Sequence, residues 1–220
     1  IPARKNSKRI KNKNLQKIGL DSLVERAIKY SLSNKLIHKT IVSTDDKKIF
    51  KIAKKYNCNE SKLRNKKLST SKTRTIELLF EMIKKHKLEN YYILILQCTS
   101  PFRNKNDLKK IFSIFQKDKA NAVISVEKNT FPHPFKILKK KGRYLYPYLN
   151  RETNVPRQEL SDVFVSNGAY YFICCKKLLK YKTLIPPKTS YYVMSKIRSI
   201  NIDYPDDLKL SKIVHEKMKL

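Results

Sequence analysis

Glycine is nearly missing from this sequence, with 3 in 220 residues, tryptophan is absent, and 18 acidic residues face 50 basic ones. With so little glycine there is neither a GxxxxGK[ST] loop nor a GxGxxG turn, so P-loop nucleotide hydrolysis and dinucleotide binding drop out. Cys58, Cys98, Cys174 and Cys175 form no CxxC pair and no regular spacing. Neither a zinc site nor a disulfide framework follows from them, and a reduced, cytoplasmic chain is expected. No run of about 18 apolar residues exists and no hydrophobic leader opens the chain, so membrane insertion and secretion are not expected. The first residue is Ile rather than Met, and the chain is expected to lack its native beginning. His38, His86, His133 and His215 are scattered, and no Gly-x-Ser-x-Gly or Cys/His arrangement suggests a covalent nucleophile.

What is present is enough to fold: 40% hydrophobic and 10% aromatic residues, at a length that suits a single domain. The formal charge of +32 raises the possibility of a nucleic-acid-binding protein. The lysines, however, occupy polar positions of helical repeats such as "KIFKIAKKY" and "LKKIFSIFQK", where a solvated face is their usual meaning. Nucleic acid is therefore not the expected partner. "TIVST" (40–44), "YYILILQ" (91–97) and "NAVISV" (121–126) read as buried strands. Ile49, Ile52, Ala53 and Tyr56 follow a helical period, as do Ile76, Leu79, Phe80 and Ile83, and Leu108, Ile111, Phe112 and Phe115. The alternation predicts an α/β fold, a three-layer αβα sandwich around a mostly parallel sheet, with ligands at the carboxyl ends of the strands. Residues 128–162 contain Pro132, Pro134, Pro147 and Pro156 and read as an extended arm or small β excursion. "GAYYFI" (168–173) restores a strand, and a helix is expected from about Pro205.

If Ile1–Ala3 end the first strand, "ARKNSKRIKNKN" (3–14) is the first strand-to-helix loop, with six basic residues at the ligand-binding edge. A triphosphate suits such a loop, because charge-assisted hydrogen bonds to phosphate contribute about 1.5–3 kcal/mol each. Asn6 and Asn12 can supply the left-handed turns that glycine supplies elsewhere.

"IPARKNSKRIKNKN" resembles the phosphate-binding signature of the cytidylyltransferases that activate sialic acids and related nine-carbon keto-sugar acids. Seven further matches follow in the family's order. They are "IVSTDD" (41–46), "LRNKKLS" (63–69), "LQCTSPFR" (96–103), "HPFK" (133–136), "PRQEL" (156–160), "SNGAYYF" (166–172) and "INIDYPDDL" (200–208). Asn14 stands where the octulosonate (Kdo) enzymes usually have Pro, which favours the nine-carbon branch; the octulosonate branch is the enzymatic alternative. The alternative of another class is a basic nucleic-acid binder or an inactive nucleotide-binding homologue.

The resemblance implies attack by the anomeric hydroxyl of a keto-sugar acid on the α-phosphate of CTP, giving a CMP-sugar and pyrophosphate for cell-surface polysaccharide synthesis. It implies that Arg4, Ser7 and Lys13 hold the triphosphate and Asn14 the ribose, with Lys13 and Arg4 catalytic, and that Arg64 and Thr75 contact the cytosine. Gln97, Lys136, Arg157, Gln158 and Asn167 match sugar-side positions, Arg157 and Lys136 being natural partners for the acid's carboxylate. Asp203 is the expected Mg²⁺ ligand, also counted as catalytic, since Mg²⁺ takes oxygen donors. Asp207, Asp45 and Asp46 read instead as helix starts. The resemblance further implies a homodimer joined through the arm at 128–162. The chain departs from the family pattern at Ser71 and Asn201, where Asp is usual, at Val165, where sialic acid enzymes have Arg, and at Cys98, where Pro is usual. The loss at Val165 predicts that N-acetylneuraminate is not the best substrate and that a legionaminic, pseudaminic or otherwise modified acid is.

Overall fold

The computed structural model describes residues 1–5, 7–58, 60, 62–70, 73–129, 132–149 and 155–218, with the side chain of Arg157 outside the described set. The chain begins beside a parallel bridge between Pro2 and Ser43, with Ala3 N–H donating to Ser43 O and Ser43 N–H to Ile1 O. "TIVST" therefore contributes a bridge rather than a full strand, flanked on its other side by Val42 N–H donating to Cys58 O. A short hairpin, β1 (Lys17–Ile18) and β2 (Asp21–Ser22), leads into α1 (Leu23–Leu32). Ser22 and Glu25 close a reciprocal capping box at its start, satisfying backbone donors that have no partner within the helix. α2 (Lys47–Lys55) starts at Asp46, whose carboxylate accepts from Lys48 and Ile49 N–H, as expected for a helix start.

The helices with the predicted periodicity follow: α3 (Thr75–His86), β3 (Tyr92–Ile95), α4 (Asp107–Lys117) and β4 (Ala122–Asn129). A hairpin of β5 (Leu138–Lys141) and β6 (Tyr144–Pro147) pairs with no other strand among the described residues. Then come β7 (Val163–Cys174), α5 (Cys175–Tyr181), β8 (Thr189–Met194) and α6 (Pro205–Met218). Asp207 caps α6, accepting from Asp203 and Tyr204 N–H.

The main sheet has the order β3-β7-β4-β8. β8 runs parallel to β4, while β7 lies antiparallel to both β3 and β4, so β3, β4 and β8 share one direction and β7 opposes them. The sheet is mixed through this one reversed strand. Period-two alternation sends Leu94, Leu96, Val123, Tyr170 and Phe172 to one face, against Leu108, Ile111, Phe112 and Phe115 of α4. Ile93, Ile95, Ala122 and Ile173 face the other way, against Ile76, Leu79 and Ile83 of α3 and Leu178 of α5. Helices on both faces make three layers. A further cluster joins Ala3, Val42 and Ile202 to the buried faces of α1 and α2, and it anchors the first loop.

Candidate active site

The loops that leave the carboxyl ends of these strands enclose a cavity of about 340 Å³. Its walls bring together residues far apart in sequence: Arg4, Ser7, Lys13 and Asn14 from the first loop, Arg64, Arg74 and Thr75 at the approach to α3, Gln97 to Thr99 after β3, and Asn201 and Asp203 before α6.

The first loop turns without glycine. Asn12 takes a left-handed conformation, φ 52°, and starts a 3-10 turn over Lys13–Leu15. Asn6 lies outside the described residues. Asn14 Nδ2 donates to Arg4 O at 3.0 Å, closing the loop on itself, and Lys5 N–H donates to Asp45 Oδ1 at 2.7 Å. Asp45 thus braces the loop, while Asp46 caps α2. Arg4 Nη1 reaches Thr70 O at 3.2 Å. Lys13 Nζ donates to Ile202 O and to Asp203 Oδ1, both at 2.9 Å, and Arg9 lies 3.9 Å from the same carboxylate with its guanidinium over the Tyr204 ring. Asn201 Nδ2 donates to Asp203 Oδ2 at 3.3 Å, while Asn201 Oδ1 is buried with no partner among the described residues. Such an orphaned acceptor at a cavity wall is costly unless something binds there.

Arg64 donates through Nε to Ser43 Oγ at 3.0 Å and through Nη2 to Ser43 O, so "IVSTDD" and "LRNKKLS" meet at its guanidinium. Burial lowers its pKa, but a guanidinium stays charged at any accessible pH. Thr75, which lines the cavity, is the first residue of α3, and among the described residues that helix start has no side-chain cap. The unpaired N–H groups of a helix start favour a polar or anionic ligand. Ser71 lies outside the described residues. Cys98 is buried beside Pro2, and burial pushes its thiol up to about 11, so it is inert at neutral pH.

The sugar-side set is divided. Gln97 lines the cavity, whereas Lys136, Gln158 and Asn167 do not, and the side chain of Arg157 lies outside the described residues. Lys136 sits exposed in the 3-10 turn Pro134–Lys136, and Gln158 is exposed in Arg157–Glu159. Asn167 is buried and engaged: Oδ1 accepts from Ser125 Oγ at 2.6 Å and Ala169 N at 3.2 Å, and Nδ2 donates to Ser199 Oγ at 2.9 Å.

Several residues that shape the site were not singled out from sequence. Arg103 is partly buried behind it, donating to Gln97 O at 2.6 Å and Ala169 O at 2.9 Å, so it ties the end of β3 to β7. Asp107 is 2% exposed and accepts from Tyr170 OH and Tyr192 OH, both at 2.8 Å, and from Arg198. Burial, chiefly, raises the Tyr170 pKa far above the ordinary phenol value and keeps it a neutral donor. Arg103 lies inside the quoted motif "LQCTSPFR" and could have been flagged there, but the side-chain partners of Asp107 lie 63 to 91 residues away and no local signal marks them.

The chain is similar to known proteins in both sequence and fold. A family model described as Cytidylyltransferase matches residues 1–184. The chain is 26% identical over 223 residues to a pseudaminic acid cytidylyltransferase of Campylobacter jejuni, covering 98% of this chain and 94% of that protein. It is 27% identical over 221 residues to the CMP-N,N'-diacetyllegionaminic acid synthase of Legionella pneumophila, with coverage of 98% and 94%. Among solved structures, a CMP:2-keto-3-deoxy-manno-octonic acid synthetase complexed with CTP superposes with a TM-score of 0.70 at 16% identity, covering 99% of this chain and 97% of that one.

Proposed function

We propose that this chain, which belongs to the cytidylyltransferase family, activates a nine-carbon 2-keto sugar acid with CTP, giving a CMP-sugar and pyrophosphate. The observation that carries the reading is the charge of the cavity wall: Arg4, Lys13, Arg64 and Arg74 converge there against one carboxylate, Asp203. Such a wall suits a polyanion small enough to enter a cavity of about 340 Å³. The named relatives supply the class of acid, pseudaminic and legionaminic. The octulosonate synthetase, at 16% identity, supports the fold alone.

In this reading Arg4, Ser7 and Lys13 hold the triphosphate, Asn14 positions the ribose, and Arg64 with the start of α3 at Thr75 faces the cytosine. The acid's anomeric oxygen bonds to the α-phosphorus, pyrophosphate leaves, and the hydroxyl proton is released. Transfer of this kind depends mostly on positioning and on neutralising charge that develops on the phosphate oxygens. Lys13 is suited to the second task, because its ammonium is held within reach of the pocket by a carbonyl and a carboxylate that it can exchange for phosphate. Gln97 is the sugar-side group at the wall; Lys136, Arg157 and Gln158 belong to the outer part of the sugar side, and Asn167 lies buried behind Gln97.

The donors present fit Mg²⁺: the Asp203 carboxylate and the orphaned Asn201 Oδ1 are hard oxygen ligands on one side of the cavity. Bound there with phosphate oxygens, the ion would supply neutralisation of the triphosphate charge. We read the hairpin β5–β6, with Leu138, Tyr144, Leu145, Tyr146 and Tyr148 exposed, as a dimerisation arm covered by a second copy of the chain. A cytoplasmic location fits four free cysteines and the lack, among the described residues, of any helix long and apolar enough to cross a membrane.

Pyrophosphate release from CTP and Mg²⁺ with a panel of acids tests the reading. Release is expected with pseudaminic or legionaminic acid at a higher kcat/KM than with N-acetylneuraminic acid, because Val165 has no charge to offer a sugar substituent. A preference for N-acetylneuraminic or octulosonic acid would overturn that choice, and release with none would overturn the activity.

A further inference from the structure

Asn167 matches a sugar-side position, yet its side chain is 6% exposed and bonded at both ends within the protein. The reason lies in the sheet. β4 and β7 pair Ile124 with Tyr171 and then Val126 with Ser166, so β7 passes four residues, Asn167 to Tyr170, where β4 passes only Ser125. This is a large bulge, and bulges need polar closure because their backbone groups leave the ladder. Ser125, fully buried, provides it: its hydroxyl accepts from Tyr170 N–H at 2.8 Å and donates to Asn167 Oδ1 at 2.6 Å.

The bulge has a tip, Gly168, at φ +75°. A Cβ there would lie 2.5 Å from Gln97 Oε1, so the Gln97 amide would have to move. The Gln97 amide, the sugar-side group at the cavity wall, therefore rests in the space left by the missing side chain of Gly168. On its other side Asn167 Nδ2 holds Ser199, in the 3-10 turn Ile197–Ser199 that precedes Asn201 and Asp203. Ile202 N–H donating to Thr99 O at 2.8 Å, and Ser100 Oγ donating to Asn167 O at 3.1 Å, complete the link.

The geometry points to Ser125, Asn167 and Ser199 as a buried positioning relay, with Gly168 as the specificity-determining residue that seats the Gln97 amide where the sugar acid is recognised. This rests on the proposed cytidylyltransferase reaction for the identity of the ligand, but the seating of Gln97 can be measured without it. Asn167 in this view acts through Gln97 and does not touch the acid.

The test uses the whole chain with Ser199→Ala, Ser199→Thr and Gly168→Ala, observed in two ways. The first is the Gln97 side-chain amide resonance pair in nitrogen-edited NMR, assigned with a Gln97→Ala variant. The second is steady-state kinetics with CTP and the best acid of the panel. Ser199→Ala is expected to shift the Gln97 pair and raise KM for the acid about tenfold, the scale of one lost buried hydrogen bond, while KM for CTP stays within about twofold. Ser199→Thr, which keeps the hydroxyl, is expected to restore both, and Gly168→Ala to shift the pair further. An unmoved Gln97 pair in Ser199→Ala and Gly168→Ala, or equal rises in KM for acid and CTP, would overturn the relay. If the wild type turns over no acid, the proposed reaction fails, and the resonance shifts alone decide the seating of Gln97.

Discussion

The chain holds two polar assemblies built on opposite plans, the buried cluster around Asp107 and the cavity wall around Lys13. At Asp107 the carboxylate is fully engaged: two tyrosine hydroxyls, the Arg198 guanidinium and the Asn104 N–H converge on it. At the cavity wall Arg4, Lys13, Arg64 and Arg74 stand with one carboxylate, Asp203, which bonds Lys13, and among the described residues the Asn201 Oδ1 has no partner. A saturated buried network holds the fold in one arrangement, whereas an unsaturated one stores a demand that a ligand meets. The contrast separates what keeps this protein folded from what it binds.

The sharpest way to break the contrast is Asp107→Ala. It strands a partly buried arginine and two hydroxyls, and denaturant unfolding should show a loss of about 3 kcal/mol, the lower end of the range for removing one partner of a buried ion pair. Next comes Lys13→Ala, expected to cut turnover at least about a hundredfold, as loss of one charge-stabilising donor does, with unfolding little changed. A large loss of stability there would place Lys13 with the structural cluster instead. Arg64→Ala belongs between the two plans, since Arg64 binds Ser43 and also faces the cavity. It should weaken CTP about tenfold by calorimetry, in the range of one charged hydrogen bond.

The smallest effect concerns a third site, where Glu60 accepts from Lys85 and from His86 Nε2. Burial on its own would raise the Glu60 pKa, but the hydrogen bonds from Lys85 and His86 outweigh it and hold the value below the ordinary 4.5. A carboxylate depressed in the folded state stabilises above its unfolded pKa, and that contribution is lost as pH falls through the lower folded value. Glu60→Gln should therefore flatten the acid side of the stability profile below about pH 4.5.

Much of this was legible in the sequence because it is local. The helical periods of α2, α3 and α4, the Asp46 cap, and the left-handed turn at Asn12 each follow from residues a few positions apart. The direction of β7 was not legible, since alternation fixes which face a side chain takes and says nothing of strand polarity. Nor was "TIVST" as a single bridge, because its apolar residues pack against α1 and α2 without extended pairing. The motifs brought Arg4, Lys13, Arg64, Gln97 and Asp203 to one wall, yet Ser125 and Ser199 lie 42 and 32 residues from Asn167 and carry no mark of their own. Hydroxyls that close a bulge become visible only when the strands are paired.

Calorimetric binding of CTP, ATP, GTP and a single-stranded polynucleotide, at rising salt, separates a nucleotide pocket from a nucleic-acid surface. Binding of CTP at least about tenfold tighter than of the purine nucleotides is expected, with a shallow salt dependence, because a base-contacting pocket adds selectivity to charge. Equal binding of all polyanions, strongest for the polynucleotide and falling steeply with salt, would contradict it and identify the cationic wall as a nucleic-acid surface.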